Sequence, residues 1–310
     1  MVNLKIKIPD TFLKEEVRCD YKITREMKEL WAIELDLYME LKRVCNKFNL
    51  KFAADSGTLL GAIRHNGFIP WDDDMDFSMP REDYEKLCEI APKEFAPPYY
   101  FENFYTDPHF VYGAAKLMNN NTTGVVNPFT KHHGIFIDIF PMDDRTDNKK
   151  EALQQRKEAK KLFAQYQRIV TCSNKNYYKE RKISLLRRCV RFLLYYKMKI
   201  LHIKVGDSYH KKLFKRFEDV CKRFNNQGFK YMGAIGIASK GMVLKEDFNC
   251  LYEIDFEFLK IPVYKHYDIY LTSVFGDWHK MVRGGSLHTF IVLDTSRPYI
   301  EVLKERGIIL

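Results

Sequence analysis

The sequence predicts an α/β fold of the α+β type, with a basic helical insertion in the second half of the chain. Helical periodicity and short apolar runs alternate over the first 100 of 310 residues. Residues 99–141 are rich in β-formers, and residues 149–226 combine helical periodicity with a high density of charge. Together these patterns indicate a packed globular protein with more than one class of secondary structure.

The first half of the chain alternates between helices and strands. Apolar residues recur every three or four positions over 25–49, which predicts a helix that begins after Thr24 as N-cap. The elements expected after it are a strand over 50–54, a turn and short helix over 57–64, a strand over 75–79, and a helix over 81–90 with Pro80 at its first position.

The second half changes in character. We expect strands over 111–118 and 134–140, helices within 149–172 and 175–226, a strand-like segment over 230–239, and a strand and a helix (264–275) within 246–275. These patterns divide the chain into a core over 1–148, a helical insertion over 149–230, and a segment over 231–310 that completes the core.

The charge of the chain is concentrated in the predicted insertion. The net charge is +10, yet residues 149–230 hold 24 Lys and Arg against 6 Asp and Glu, and the remainder is net acidic. Within residues 183–203, basic side chains interleave with leucines, as in helices that lie on anionic membranes. A solvated helical face remains open, as does an anionic partner such as lipid, nucleic acid or a phosphorylated substrate.

Signals for export and membrane insertion are not found in the sequence. The first residues show no apolar leader segment, and no run approaches the ~18 apolar residues of a spanning helix. Seven scattered cysteines lack a C-x-x-C pair, which argues against disulfides and a zinc knuckle. The expectation is therefore a cytoplasmic protein, peripheral at the inner face of the membrane if the basic helix binds lipid.

Four aspartates crowd one short stretch between apolar segments: Asp72, Asp73, Asp74 and Asp76. Such crowding is costly unless a cation neutralises it, and carboxylates favour Mg²⁺, Mn²⁺ or Ca²⁺. On a strand, Asp74 and Asp76 face the same side about 6.6 Å apart. Asp138 stands alone within the apolar run 135–140 and is the natural third carboxylate. We therefore expect these three residues to bind metal and serve catalysis.

Two simpler interpretations of the aspartates stay open. An EF-hand loop would place Asp72, Asp74 and Asp76 at its first, third and fifth positions, but it needs glycine where Phe77 stands and glutamate where Asp83 stands. An acidic surface turn after Pro70 is the other interpretation, and the apolar flanks argue against it.

A phosphate-binding turn is predicted shortly before the aspartates. Ser56, Gly57 and Thr58 enter a helix, and backbone N–H groups at such a turn bind phosphate oxygens. Arg64 and Lys116 are candidate phosphate ligands. His133, like its neighbour His132, either supports the substrate or lies in a solvated loop.

Four blocks of this sequence resemble the LicD family of phosphotransferases. The family includes cholinephosphotransferases of lipopolysaccharide and teichoic acid and, more distantly, fukutin-type ribitol-phosphate transferases. The most specific block is ADSGTLLGAIRHNGFIPWDDDMDFSMPREDYEKL, and the others are AAKLMNNNTT, HHGIFIDIFPMDD and FEFLKIPVYKHYDIYLTSVFGDW. The similarity spans roughly residues 25–290 and says little about 149–230.

The resemblance implies a nucleotidyltransferase-like fold, a small mixed sheet flanked by helices. Its metal pair falls on Asp74 and Asp76, with Asp138 as third carboxylate. Its nucleotide-binding turn falls on Gly57 and Thr58, and Asp55 is the acidic residue before that turn. Asp72 and Asp73 belong to the same block with less defined roles, and Ser56 stands where the family often has glycine.

The resemblance also implies a reaction. A substituted phosphate, most simply phosphocholine, would pass from a CDP-linked donor to a hydroxyl of a cell-surface glycan or lipid-linked oligosaccharide, with Mg²⁺ or Mn²⁺ as cofactor and CMP as product. A nucleotidyltransferase that releases pyrophosphate remains an alternative. So does a non-catalytic module that binds membrane or nucleic acid through the basic block, although the three aspartates make nucleic acid an unlikely partner.

Overall fold

We describe the protein from a computed structural model, over residues 1–127, 130–173, 184–205, 208–237, 241–284 and 290–307. The strands of this part are β1 (Glu16–Arg18), β2 (Tyr21–Ile23), β3 (Ala53–Ala54), β4 (Asp76–Pro80), β5 (Tyr99–Glu102), β6 (Ala115–Asn119), β7 (Thr123–Val125), β8 (Ile135–Arg145), β9 (Tyr231–Gly233), β10 (Val243–Leu244), β11 (Tyr252–Phe256), β12 (Leu259–Val263) and β13 (Val292–Asp294). The helices are α1 (Arg25–Phe48), α2 (Ser56–His65), α3 (Arg81–Glu94), α4 (Lys149–Ser173), α5 (Leu185–Val205), α6 (Ser208–Cys221), α7 (Tyr267–Phe275) and α8 (Tyr299–Glu305).

A mixed sheet of seven strands organises the described residues, which confirms the predicted mixed α/β class with flanking helices. Its long strand β8 pairs parallel with β4 and antiparallel with β6 and β9. Strand β3 extends the sheet beyond β4, β5 extends it beyond β6, and β10 extends it beyond β9. Because β8 is long, its first half and its last residues have different neighbours on the same edge.

Helix α1 packs across the sheet and forms the centre of the main hydrophobic core. Its N-terminus is capped by the Thr24 side chain, which accepts a bond from the backbone N–H of Met27, as predicted. The Tyr38 ring stacks on Phe77 of β4 with centroids 5.3 Å apart. The indole N–H of Trp31, two turns earlier, donates to the Asp72 carbonyl oxygen at 2.9 Å. Helix α1 therefore holds the aspartate segment against the sheet.

The helices of residues 149–221 have a hydrophobic cluster of their own. Tyr166 and Phe217 are buried in it, and Phe104 and Val111 from the first half of the chain join them. Helix α4 packs against both α5 and α6. The predicted insertion boundaries at 149 and 230 stay a prediction, since this packing alone does not define a domain. Among the described residues, no helix combines the length and apolarity needed to cross a bilayer.

Some predicted strands are shorter than expected because local hydrogen bonds compete with the sheet. Leu50 donates its N–H to the Cys45 carbonyl oxygen after a left-handed cap at Asn49, so pairing starts only at Ala53. The prediction over 111–118 was wrong for 111–114. There the Tyr166 hydroxyl bonds the carbonyl of Phe110, and the Gln167 side chain bonds that of Val111.

Other boundaries differ by a few residues. Pro80 ends β4 opposite Met142 and caps α3, so it is not the first helical residue. Helix α7 begins at Tyr267, later than predicted, because Tyr264 is buried directly after β12. Of the predicted segment 230–239, residues 238 and 239 lie outside the described residues, and within 230–237 the strand is Tyr231–Gly233. The predicted helical stretch 175–226 contains α5, α6 and a 3₁₀ turn over Lys222–Phe224, and its residues 175–183 and 206–207 lie outside the described residues.

Candidate active site

The predicted phosphate turn is the start of helix α2. Asp55 is its N-cap and accepts the Ser56 N–H at 2.6 Å, and the Thr58 hydroxyl accepts the Asp76 N–H at 2.8 Å. The first N–H groups of a helix have no carbonyl partner within it, so those of Gly57 and Thr58 are suited to an anion. Burial raises the pKa of Asp55 to about 6, although bonds from Ser56 act in the other direction.

Two residues of this turn have conformations that restrict their side chains. A Cβ at Gly57 would overlap the Asp72 carboxylate, so glycine lets the turn and the aspartate segment approach closely. Ser56 has a φ of 45°, in the left-handed region that favours glycine. A glycine would adopt this conformation without strain.

Asp72, Asp73 and Asp74 converge just before strand β4. One carboxylate oxygen from each lies within 4.8 Å of the others. Burial raises the pKa of Asp72 to about 8, with further contributions from the charge and hydrogen bonding of Asp74 and the charge of Asp73. Crowded carboxylates of this kind are stabilised by a cation or by protons.

A row of charged residues crosses the sheet next to this cluster. Asp76 of β4 is the register partner of Asp138 of β8, Asp138 that of Lys116 of β6, and Lys116 that of Glu102 of β5. At the other end, the Asp55 N–H donates to the Asp76 carbonyl oxygen at 2.9 Å. Register partners on adjacent strands point to the same face of a sheet. We call Asp55, Asp76, Asp138, Lys116 and Glu102 the charged row.

The charged row contains more negative than positive charge. The Lys116 ammonium contacts the two Asp138 oxygens at 2.9 and 3.0 Å. Asp76 has no such cation among the described residues, and its pKa lies well above the usual range because of burial and the charges of Asp74, Asp138, Asp55 and Asp72. Lys116 therefore balances Asp138 within the row, whereas Asp76 is surrounded mainly by other carboxylates.

Glu34 of α1 is a site residue that the sequence analysis missed. It is fully buried, and neither carboxylate oxygen has a hydrogen-bond partner. Burial, followed by the charges of Asp74, Asp73, Asp72 and Asp138, places its pKa well above the usual range. The sequence contained one signal for it: Glu34 is an acidic residue three positions after Trp31, on the apolar face of the predicted helix.

Two predicted residues lie away from the aspartates. Arg64 is near the far end of α2, about 10 Å along the helix from Gly57, and donates to the Trp278 carbonyl oxygen at 3.2 Å. His133 is buried beside the outer end of the charged row, in a pocket that Glu102 also lines. Burial lowers the pKa of His133 to about 4, so the imidazole is neutral at pH 7. The roles of both residues stay predictions.

The donor set fits a hard divalent cation. Asp72, Asp73 and Asp74 bring carboxylate oxygens together, and these are the ligands that Mg²⁺ and Mn²⁺ prefer. Of the predicted trio, Asp74 belongs to this group, Asp76 begins the strand that follows it, and both Asp138 oxygens contact Lys116. The pKa values of Asp72 and Asp76 are raised, and the Glu34 carboxylate near them has no hydrogen-bond partner, so a bound cation would be favourable here. An EF-hand does not account for this arrangement, since Asp76 begins a strand of the central sheet.

Comparison with known proteins finds its family match in the same region of the chain. The family model described as LicD/FKTN/FKRP, nucleotidyltransferase domain, matches residues 49–167, which contain the turn, the aspartates and the whole charged row. The chain is 24% identical over 259 residues to lipopolysaccharide cholinephosphotransferase LicD of Haemophilus influenzae, covering 82% of this chain and 92% of that protein.

Two shorter matches are to uncharacterised proteins of Rickettsia. The chain is 45% identical over 62 residues to one from Rickettsia prowazekii and 44% identical over 62 residues to one from Rickettsia typhi. Each match covers 19% of this chain and about a fifth of its relative, 23% and 20% respectively. The long match to the Haemophilus protein and the domain over 49–167 support the resemblance of this chain to the LicD family of phosphotransferases.

Proposed function

We propose that this protein transfers phosphocholine from CDP-choline to a hydroxyl group of a cell-surface glycan, such as lipopolysaccharide, or of its lipid-linked precursor. One observation carries the proposal: the start of helix α2, whose first N–H groups suit an anion, lies directly beside the converging carboxylates of Asp72, Asp73 and Asp74. The similarity to a lipopolysaccharide cholinephosphotransferase supports the choice of donor and acceptor.

The residues of the site have different roles in this reaction. The N–H groups of Gly57 and Thr58 bind the diphosphate of the donor. Asp74, Asp76 and Asp138 would hold Mg²⁺ or Mn²⁺, which neutralises charge on the phosphates when bound. The acceptor oxygen bonds to the distal phosphorus, the bond from that phosphorus to the CMP oxygen breaks, and a carboxylate of the site, Asp138 first among them, takes the hydroxyl proton.

The variant Asp74→Asn tests the assignment of the metal pair. It should fold normally and lower turnover by ~10³-fold, because the site loses a charged ligand at the reacting phosphate. The measurement is CMP release from CDP-choline with a glycan acceptor, and the control is Asp10→Asn, an exposed aspartate far from the cluster. Near-normal turnover in Asp74→Asn would refute the assignment.

Product identity separates this reaction from nucleotidyl transfer. Attack on the distal phosphorus releases CMP, whereas attack on the α-phosphorus of a nucleoside triphosphate releases pyrophosphate. Incubation with CDP-choline and with CTP, each with Mg²⁺, should yield CMP only from the first. Pyrophosphate from the second would favour the nucleotidyltransferase.

Helix α5 supports a further part of the proposal, binding to an anionic membrane surface. Its residues Leu185–Val205 include no acidic side chain, and Arg187, Arg188, Lys197 and Lys199 are exposed. Seven large apolar side chains of the same helix are exposed by 42–75%: Leu185, Leu186, Val190, Phe192, Leu193, Tyr196 and Ile200.

These exposed apolar residues share one face of α5. At about 100° per residue, they lie opposite the partly buried Leu194 and Met198, whereas α4 and α6 pack against the helix. An apolar face that points away from the protein and is flanked by basic residues is typical of helices that lie on lipid. An anionic bilayer at the cytoplasmic face would satisfy both features.

Flotation with vesicles tests this surface. At low salt, the protein should float with mixed vesicles that contain both anionic and zwitterionic lipid. It should not float with purely zwitterionic vesicles. Leu186→Ser with Leu193→Ser should abolish flotation, whereas Ile300→Ser, at an exposed apolar residue of α8, should not. Lack of binding to anionic vesicles at low salt would refute this part of the proposal.

A further inference from the structure

Two tyrosines of the C-terminal segment reach the start of helix α2, where the proposed reaction places the donor diphosphate. Tyr264 directly follows strand β12, and Tyr270 lies on helix α7. Their side chains are 0% and 3% exposed, and their ring centroids are 5.8 Å apart. Both belong to the block FEFLKIPVYKHYDIYLTSVFGDW, whereas the residues that carry the proposed reaction all lie before it in the chain.

The Tyr270 hydroxyl contacts both the backbone and the side chain of Ser56. The Ser56 N–H donates to the tyrosine oxygen at 3.3 Å, and the two hydroxyl oxygens are 3.4 Å apart. The Asp55 carboxylate accepts from the same two groups of Ser56, from the N–H at 2.6 Å and from the hydroxyl at 3.3 Å. Ser56 is therefore held on two sides, by the preceding residue and by helix α7.

Ser56 needs such support because its backbone conformation is unfavourable for a residue with a side chain. Left-handed conformations outside glycine persist where surrounding contacts fix them, and they are frequent at ligand sites. The next residue, Gly57, is so close to Asp72 that a Cβ there would overlap the carboxylate. A shift of Ser56 would therefore change the distance between the first N–H groups of α2 and the aspartates.

Tyr264 supports the other residue of the turn, Asp55, through Ser78 of strand β4. The Ser78 hydroxyl bonds the Asp55 carboxylate, and the Tyr264 hydroxyl bonds Ser78. Because Ser78 and Tyr264 are fully buried, loss of either bond would leave a buried polar group without its partner. Asp55 and Ser56 thus each depend on a tyrosine that is about 200 positions away in the chain.

We infer that Tyr264 and Tyr270 are positioning residues for the phosphate-binding turn. Their hydroxyl groups hold Asp55 and Ser56, so that the first N–H groups of α2 stay in place for the donor diphosphate. The inference rests on the proposed function, which places this diphosphate at the start of α2. It gives the C-terminal segment a part in donor binding in addition to its part in the core.

The variant Tyr270→Phe tests the inference, because it removes only the hydroxyl and keeps the ring that packs against Gly241. Calorimetric titration with CDP-choline and Mg²⁺, without acceptor, measures the donor Kd. We expect the donor Kd to rise about five- to tenfold, whereas the Kd for Mn²⁺ alone should change less than about twofold. Steady-state assays should show a larger change in donor KM than in kcat.

The matched control is Tyr166→Phe, which removes another buried hydroxyl, one that bonds the Phe110 carbonyl beside the helical cluster. Both variants should lower Tm by a similar amount, and only Tyr270→Phe should lose donor affinity. Tyr264→Phe should also weaken donor binding, but by less than Tyr270→Phe, since its contact with the turn passes through Ser78.

The outcomes separate the positioning role from the proposed function. Unchanged donor Kd in Tyr270→Phe would overturn the positioning role, and so would an equal loss of donor affinity in Tyr166→Phe. If wild-type protein with Mg²⁺ binds no CDP-choline, the proposed function is overturned, and the inference with it.

Discussion

Aspartates near the two ends of strand β8 have different electrostatic environments. Near its start, Asp138 contacts one cation, the Lys116 ammonium. Asp76, its register partner on β4, is a further carboxylate on the same face of the sheet. Five residues after Asp138, Asp143 is fully buried and receives two bonds from the Arg81 guanidinium, at 2.9 and 2.6 Å, and one from Asn225 at 2.9 Å. Its neighbour Asp144 is bonded at both oxygens by the Lys245 ammonium.

The difference separates a structural carboxylate from a functional one. Asp143 and Asp144 have their partners within the fold, so their burial is compensated without a ligand. Asp76, by contrast, is buried among carboxylates, and their charges hold its pKa well above the usual range, so we expect a bound cation or protons to stabilise it. Buried acidic residues are therefore informative about function only when their partners are counted.

Among the variants that test this comparison, Asp76→Asn should show the largest effect on activity. Turnover should fall by ~10³-fold or more, whereas stability without metal should stay equal or rise, because the neutral amide relieves repulsion from Asp74 and Asp138. Turnover assays and thermal unfolding in EDTA measure the two effects. A large loss of Tm in this variant would mean that Asp76 has a structural partner and would break the contrast.

Asp143→Asn should show the opposite pattern. Removal of its charge leaves Arg81 buried without its bidentate partner, so the free energy of unfolding should fall by about 3–5 kcal/mol. Urea denaturation measures this change. Activity per folded molecule should remain near wild type at a temperature where the variant is folded, and a specific loss of turnover would contradict the structural role.

Stability without metal should depend on pH. The pKa values of Asp72 and Asp55 are raised to about 8 and about 6, so the folded protein binds more protons than the unfolded chain above pH 4. Their contribution to stability is complete below about pH 4 and is lost as pH rises to about 8. We expect Tm in EDTA to fall by about 2–4 °C between pH 5 and pH 8.

Bound metal should reverse this pH effect, because a divalent cation stabilises the ionised carboxylates. Scanning calorimetry at pH 8 should show a higher Tm with Mg²⁺ than with EDTA, and the slope of Tm against pH should become flat. A Tm that rises with pH in EDTA would show that these carboxylates are compensated within the chain.

The smallest effect is expected from an exposed ion pair. Arg297 contacts Asp294 and Glu305 at 2.9 Å each, with its side chain 46% exposed. Arg297→Ala should lower the free energy of unfolding by less than about 1 kcal/mol and leave turnover unchanged. A loss of stability as large as that in Asp143→Asn would show that the number of partners, even without burial, determines the free-energy cost of removing a charged side chain.

Much of the inner site was predictable because its signals are local. The spacing of Asp74 and Asp76, the lone Asp138 within an apolar run, and the small residues 56–58 before a helix each lie in one short segment. The parallel pairing of β4 with β8 then aligns Asp76 with Asp138. Arg64 was harder to place, because seven positions along a helix carry a side chain well away from the turn that precedes it.

Glu34, Glu102 and the neutralised pair Asp143 and Asp144 were not predicted. Glu34 occupies a position on the apolar face of α1, and only the packing of that helix over residues 72–77 shows its charge beside the aspartates. The partners of Asp143 and Asp144 come from residues 81, 225, 226 and 245. Contacts over such distances leave no periodicity in the sequence.

The sequence by itself determined the mixed α/β class, the helix that begins after Thr24, the carboxylate-rich segment and the resemblance to LicD phosphotransferases, because propensity, periodicity and short motifs depend on neighbouring residues. The tertiary structure decided the order of the charged row, which depends on the register of β4, β8, β6 and β5. It also decided which carboxylates have partners, since cross-strand register and helix packing join residues far apart in the chain.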